Sequence, residues 1–137
     1  SLFKPPYFVV GKTLNPKFEK RYKGGEDALV VSKDRRMLSV CDGVGGWGEL
    51  DVDPGLFSKH LCQTMGDLYD SEPEKSLKEI LVEAVKRNKH MGSSTAVLVK
   101  LDSKKHGKMS TCNLGDSGYM IFRQEAGKLS QIFVSEL

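Results

Sequence analysis

The most constraining stretch of the sequence is VCDGVGGW, which runs from Val40 to Trp47. The apolar run that leads into it is typical of a short strand, so Asp42 is expected at a strand end. The three glycines that follow let the backbone adopt positive φ and approach a bound group closely. Carboxylate and carbonyl oxygens in such a place suit hard cations such as Mg²⁺ and Mn²⁺. The alternative is a β-hairpin, because Asp-Gly between apolar runs is also a turn signal.

Two further predicted strand ends carry acidic residues beside glycine. The stretch GGED, with Glu26 and Asp27, precedes one apolar run, and NLGDSG, with Asp116, lies between two more. The charged connection at 33–36 predicts that the runs on either side of it are antiparallel neighbours. Glu26 and Asp27 would then meet Asp42 at the same edge of a sheet.

The order of elements predicts an α+β fold with a mainly antiparallel sheet. Strands are expected at 8–10, 28–32, 37–41, 95–101, 109–114, 119–123 and 131–134, and a loop at 12–25. Asp53 and Pro54 suit the N-cap and first turn of a helix, whose apolar stripe is Phe57, Leu61, Met65 and Leu68. A second helix is expected to begin near Pro73, with an apolar face of Leu77, Ile80, Leu81, Ala84 and Val85. The two helices would cover one face of the sheet.

Composition limits the class of protein. A chain of 137 residues with 39% hydrophobic content fits one domain, 1–137, with a real core. A net charge of +3 is not the footprint of a nucleic-acid binder, and no apolar run is long enough to span a bilayer. The cysteines are odd in number and lack the paired spacing of a zinc site, which indicates free thiols in a reducing compartment: Cys41, Cys62 and Cys112.

With GSSTA at 92–96, four glycine-flanked signatures stand in the order of the metal-dependent protein phosphatase family (PPM, or type 2C), from about Tyr22 to Arg123. The chain resembles most the GVGGW-bearing branch, which includes mitochondrial enzymes. The resemblance implies an antiparallel β-sandwich flanked by helices, in α-β-β-α layers, of which these segments match the first part. It also implies a metal-dependent serine/threonine phosphatase acting on phosphoproteins, in the mitochondrial matrix or alternatively the cytoplasm.

The resemblance also implies roles for individual residues. Asp42 would bridge two Mn²⁺ or Mg²⁺ ions, the Gly43 carbonyl would bind one of them, and Glu26 and Asp27 would hold metal-bound waters. In such two-metal sites a metal-activated water attacks the phosphorus. Asp116 matches a position that binds a further ion, and the alternative is a turn aspartate that binds its own backbone.

The sequence departs from the family pattern at three places. Arg21 is the nearest candidate for the phosphate-binding arginine, but its spacing differs by one residue from the commonest pattern. Val44 stands where many members have a histidine, as it does throughout the GVGGW branch. The remaining metal-binding aspartates of the family lie in C-terminal motifs, and the chain ends at Leu137 before either. The histidines of this chain are interpreted as surface or packing residues: His60, His90 and His106.

The third departure predicts a C-terminally truncated domain and leaves two functions open. One is an active phosphatase, and the other is an inactive phosphatase-like scaffold or subunit of a larger assembly. A sheet edge exposed by truncation would need a protein partner, because unpaired edges invite association. A different two-metal phosphohydrolase is a weaker alternative, since those enzymes bring histidines close to their aspartates.

Overall fold

The computed structural model describes residues 4–19, 25–44, 53–105 and 107–136. Within them two helices separate one pair of strands from four further strands. The elements are β1 (Asp27–Val31), β2 (Met37–Asp42), α1 (Pro54–Ser71), α2 (Leu77–Arg87), β3 (Ala96–Leu101), β4 (Met109–Leu114), β5 (Met120–Glu125) and β6 (Lys128–Val134).

The first four strands form one antiparallel sheet in the order β1-β2-β3-β4. The chain leaves this sheet after β2, forms both helices, and returns as β3 directly beside β2. A second, two-stranded antiparallel sheet contains β5 and β6. The predicted α+β class with antiparallel sheets is confirmed.

The helices cover one face of the larger sheet, as predicted. Alternate β2 residues point into this core, since Met37, Ser39 and Cys41 are fully buried. The described helix residues in this core are Leu61, Cys62, Met65, Leu68, Tyr69, Leu77, Ile80, Leu81 and Ala84. α1 also lies close to β1, because a Cβ at Gly66 would come within 2.8 Å of Val30 Cγ2. The apolar stripe read from the sequence therefore packs as core.

The opposite face of the sheet is also apolar. Leu38 lies opposite Val99 and Val40 opposite Val97, so these side chains share a face that the helices do not cover. A groove of about 590 Å³ follows this face, and residues from Val10 to Leu14 line part of it. A sheet with two apolar faces is typical of the inner layer of a sandwich. β5 and β6 form a separate hairpin whose residues are almost all exposed.

Both helices begin where capping chemistry dictates. The Asp53 carboxylate accepts the Gly55 N–H at 2.9 Å, as predicted for α1. The prediction that α2 begins near Pro73 is wrong, because Ser76 and Glu79 form a capping box that starts the helix at Leu77. The predicted apolar face of α2 is also wrong at one position.

That position is Val85, which is 45% exposed. It lies about 90° around the helix from the centre of the buried stripe, beyond the part that the sheet covers.

The predicted strand at 8–10 is also wrong. These residues form no strand, and Val9 is 89% exposed. The Phe8 N–H donates to the Arg35 carbonyl at 2.7 Å, but Arg35 has φ +59° within the β1–β2 turn. A left-handed turn residue curves the backbone away, so a regular ladder does not continue from it.

The β5–β6 hairpin is longer than predicted. Its turn is Ala126-Gly127, with φ +50° and +78°, the left-handed pair that closes a two-residue hairpin. β6 can therefore begin at Lys128 rather than at Gln131.

Asp34 organises the β1–β2 turn at the end of the sheet away from the acidic residues. Its carboxylate accepts hydrogen bonds from the Ser32 hydroxyl (2.7 Å), the Arg36 N–H (2.9 Å) and the Tyr69 hydroxyl (2.9 Å). Burial alone would raise the pKa of Asp34, but these hydrogen bonds and the Arg36 charge outweigh it and lower that pKa. Burial and the bond to Asp34 raise the pKa of Tyr69.

Among the described helices, none is long and apolar enough to cross a membrane.

Candidate metal and phosphate site

Asp27 and Asp42 lie directly opposite each other at one end of the β1–β2 ladder. Directly opposed residues of an antiparallel pair point to the same face of the sheet. Both residues are exposed, so the two carboxylates border solvent. The short charged turn at 33–36 sets this register, and it brings the two aspartates to one edge as the sequence predicted.

A cleft of about 530 Å³ opens at this edge. Five separate parts of the sequence line it: Asn15, Pro16 and Lys17; Gly25, Glu26 and Asp27; Asp42, Gly43 and Val44; Thr95; and Asp116. Five predicted site residues are therefore neighbours in space: Glu26, Asp27, Asp42, Gly43 and Asp116. The sixth, Arg21, lies outside the described residues.

The backbone of Glu26 is fixed from two sides. Its carbonyl accepts the Gly43 N–H at 3.0 Å and a short hydrogen bond from the Ser58 hydroxyl on α1. The first turn of α1 lies against the same segment, because a Cβ at Gly55 would come within 2.7 Å of the Gly25 carbonyl oxygen. Glycine at position 55 thus lets the helix approach the acidic segment.

Thr95 joins the Asp42 strand end to the turn that carries Asp116. The Thr95 N–H donates to the Asp42 carbonyl at 2.9 Å, and Thr95 Oγ1 accepts the Asp42 N–H at 3.1 Å. The same hydroxyl shares a hydrogen bond with Ser117 Oγ. Gly115 has φ +92°, and a Cβ there would lie 2.9 Å from Thr95 Cγ2. The sequence analysis identified 92–96 and 113–118 as signatures but did not predict that Thr95 holds the Asp42 backbone in place.

The serines before Thr95 complete the connection. Ser94 Oγ donates to the Asp42 carbonyl at 3.1 Å, and the Val44 N–H donates to the Ser93 carbonyl at 3.0 Å. Gly43 also forms a β-bridge with Ser94. The alternative interpretation of Asp42-Gly43 as a hairpin turn is therefore wrong, because the chain continues past β2 beside the segment that precedes β3.

The donor atoms at this edge suit a hard cation. Carboxylates and backbone carbonyls line the cleft together with Lys17, and no histidine or cysteine is among the described residues lining it. All-oxygen donors favour Mg²⁺ and Mn²⁺ over zinc or copper. Within the described part of the chain no three His, Cys, Asp or Glu side chains form a group able to hold an ion. The fit of this edge to a hard cation therefore lies in the chemical type of its oxygen donors.

Lys17 is a cation that was not among the predicted site residues. It is exposed and lines the cleft that contains the four acidic residues. An ammonium group in this position can contact a phosphate that enters the cleft. The available sequence signal was the concentration of basic residues just before GGED.

Two buried thiols lie behind the strand end. Cys62 on α1 donates to the Ser39 carbonyl at 3.6 Å, and Cys41 immediately precedes Asp42. The hydrogen bond between the two thiols and their burial raise the pKa of Cys62. All three cysteines are free, as the sequence predicted.

Known proteins resemble the chain in both sequence and fold. No protein-family model matches it. The probable protein phosphatase 2C 55 of Arabidopsis thaliana is 37% identical over 123 residues, which cover 88% of this chain and 26% of that protein. The protein phosphatase PTC7 homolog of Homo sapiens is 39% identical over 108 residues, covering 72% of this chain and 35% of that protein.

A solved structure shares the fold. The X-ray structure of the photosystem II phosphatase PBCP superposes with a TM-score of 0.78 at 29% identity, over 90% of this chain and 47% of that one. The chain is therefore a homologue of the type 2C protein phosphatases. Its relatives also include the PTC7 homolog of Xenopus laevis, which is 39% identical over 111 residues. The chain spans between about a quarter and two fifths of the length of these relatives.

Proposed function

We propose that this chain forms the metal-binding first part of a metal-dependent protein serine/threonine phosphatase, which hydrolyses phosphoserine and phosphothreonine in phosphoproteins. The observation that carries the proposal is the register of Asp27 opposite Asp42, at the mouth of a cleft that Glu26 and Asp116 also line. Homology to type 2C phosphatases over most of the chain supports the same conclusion.

In this proposal Asp42 is the main ligand of two Mn²⁺ or Mg²⁺ ions, and the Gly43 carbonyl binds one of them. When bound, the ions supply an activated water and offset the charge of the phosphoryl group. Glu26 and Asp27 orient metal-bound waters through hydrogen bonds, and Asp116 contributes to a further ion.

The protein's own residues also prepare the site for phosphate. Thr95 accepts the Asp42 N–H and Ser94 donates to the Asp42 carbonyl, so the backbone that carries the carboxylate does not have to be ordered when the ion binds. Lys17 is a candidate contact for the substrate phosphate, and Arg21 stays a second candidate. The glycine-rich backbone after Asp42 lets a phosphoryl group approach without a side-chain clash.

We propose the mitochondrial matrix as the compartment, with the cytoplasm as the alternative. Resemblance to the GVGGW branch supports the first, and three free thiols fit a reducing environment in either. Fractionation of cells that express the full-length protein, followed by protease protection of isolated mitochondria, tests this. Protection from added protease supports the matrix, and recovery in the soluble cytosolic fraction contradicts it.

The alternative function is an inactive phosphatase-like scaffold or subunit. The specific observation in its favour is that the described residues supply no group of three ligands. Exposed apolar side chains on the second sheet, such as Met120 at 60% and Leu129 at 71%, would then contact further protein. β1 is an edge strand of the larger sheet and would provide a second contact for a protein partner.

Calorimetric titration with Mn²⁺, together with hydrolysis of a phosphothreonine peptide in the same samples, tests the proposal. Asp42→Asn and Asp27→Asn should each weaken Mn²⁺ binding, by about tenfold or more for Asp42, because each removes an anionic oxygen ligand or water holder. The matched control is Asp67→Asn, an exposed helix carboxylate outside the cleft, which should bind Mn²⁺ like the unchanged protein.

Both the chain and the full-length protein should be assayed. Turnover by the full-length protein that disappears in Asp42→Asn supports the phosphatase. Mn²⁺ binding without turnover in the full-length protein favours the scaffold. Equal Mn²⁺ affinity in all three variants and the unchanged chain would contradict the proposed site.

A further inference from the structure

Two histidines from distant parts of the sequence meet on the side of α1. His60 belongs to α1, and His90 belongs to the segment that connects α2 to β3. Their ring centroids are 5.4 Å apart, and the ring planes are inclined by 65°. The two imidazoles are therefore first neighbours, although the sequence treated each as a separate surface or packing residue.

One ring nitrogen of this pair lacks the hydrogen bond that buried polar atoms usually form. His60 Nδ1 is buried and has no hydrogen-bond partner. Across the described residues it is the single buried side-chain nitrogen or oxygen without one. Buried polar atoms are nearly always paired, and an ion or water is a common reason for an apparent orphan. An imidazole nitrogen beside a second imidazole is the kind of orphan that a metal ion would satisfy.

The backbone around His90 is held against α1 on both sides. Asn88 Nδ2 donates to the Phe57 carbonyl at 3.0 Å, and Asn88 Oδ1 accepts the His90 N–H at 3.1 Å. A Cβ at Gly92 would lie 2.9 Å from Phe57 Cβ, so this residue also packs directly on the helix. The position of His90 relative to His60 therefore does not depend on a free loop.

We propose that His60 and His90 form a two-histidine site for a borderline divalent ion, Zn²⁺ or Ni²⁺, completed by water. Imidazole nitrogen suits these metals, whereas Mg²⁺ and Mn²⁺ prefer oxygen. A tetrahedral ion about 2 Å from one nitrogen of each ring would separate the centroids by about 5 Å, close to the observed spacing. His90 is exposed, which gives the ion and its waters access.

The site would be separate from the carboxylate cleft but mechanically joined to it. The segment that carries His90 continues into Ser93, whose carbonyl accepts the Val44 N–H, and into Ser94 and Thr95, which bind Asp42. An ion between His60 and His90 would tie this segment to α1. Zinc should therefore raise the unfolding temperature, because the paired imidazoles bind it more tightly in the folded chain than in the unfolded one. With two neutral ligands and no carboxylate, a micromolar rather than nanomolar Kd is expected.

Calorimetric titration of the tag-free chain with Zn²⁺ and with Ni²⁺ tests the proposal. One ion per chain should bind in a step that depends on the histidines, and His90→Ala should weaken that step at least tenfold. His60→Gln should do the same, and circular dichroism checks that it remains folded. If His60→Gln does not fold, the exposed His90→Ala variant still decides the outcome. Lys89→Ala is the matched control, since it changes the neighbouring exposed residue without removing an imidazole.

Two further variants exclude other zinc ligands. Cys112→Ser removes the half-buried thiol, and Asp42→Asn removes a carboxylate of the cleft, and neither should change zinc affinity. The inference fails if the unchanged chain binds neither ion below millimolar concentration, or if His90→Ala binds as tightly as the unchanged chain. It also fails if Asp42→Asn or Cys112→Ser abolishes binding. All of these readouts are independent of phosphatase activity.

Discussion

Replacing Thr95 by valine should destabilise the protein and weaken its metal site together. Valine keeps the shape of threonine but removes the hydroxyl that accepts the Asp42 N–H at 3.1 Å and bonds Ser117 Oγ. Thr95 is only 9% exposed, so water replaces these bonds poorly. A stranded buried N–H costs about 1–3 kcal/mol, and one lost hydrogen bond costs about 1 kcal/mol. We expect a loss of about 2–3 kcal/mol of unfolding free energy for Thr95→Val.

Urea unfolding followed by circular dichroism measures this loss. With a denaturant slope of about 2 kcal/mol per molar, the midpoint should fall by about 1 M or slightly more. Mn²⁺ affinity should fall by about tenfold, the usual effect of removing a group that positions a ligand. Thr95→Ser is the control, because it keeps the hydroxyl and loses one methyl group beside Gly115, at a cost of about 1 kcal/mol.

The relative stabilities of Thr95→Val and Thr95→Ser distinguish hydrogen bonding from packing. If Thr95→Ser were as destabilising as Thr95→Val, packing rather than hydrogen bonding would be the contribution of Thr95. If Thr95→Val unfolded at the same urea concentration as the unchanged protein and bound Mn²⁺ equally well, the proposed link between Thr95 and Asp42 would be refuted.

Three other predictions follow from single contacts. Gly115→Ala should cost clearly more than Gly127→Ala in urea unfolding, since both have positive φ but a Cβ meets Thr95 at 2.9 Å only at position 115; equal costs would contradict this. Ser76→Ala should lower the unfolding free energy by about 1 kcal/mol through loss of the capping box, and an unchanged midpoint would contradict the assignment of the cap. Asp34 has a lowered pKa in the folded state, so its contribution to stability is complete above its ordinary value of 3.8 and is lost as pH falls through the folded pKa. Stability measured from pH 6 to about pH 2 should therefore fall less steeply at the acid end in Asp34→Asn, and an unchanged acid limb would contradict that role.

The sequence predicted the local parts of the fold and of the candidate site. The period of apolar residues and the short turn at 33–36 together place Asp27 opposite Asp42, because both are properties of adjacent residues. The start of α1 could also be predicted from Asp53, because its side chain accepts the N–H of Gly55 only two residues further along the chain. Where local signals were weak or competed, the predictions failed, as at the start of α2 and at residues 8–10.

Tertiary packing decided what the sequence could not. Thr95 reaches Asp42 across 53 positions of sequence, and His60 meets His90 only because the segment after α2 folds back along α1. No periodicity encodes such contacts, because they depend on which faces of the helices and sheet cover one another. The residue types that can bind a metal were therefore visible in the sequence, while the neighbours that hold them in place came only from the long-range arrangement of the chain.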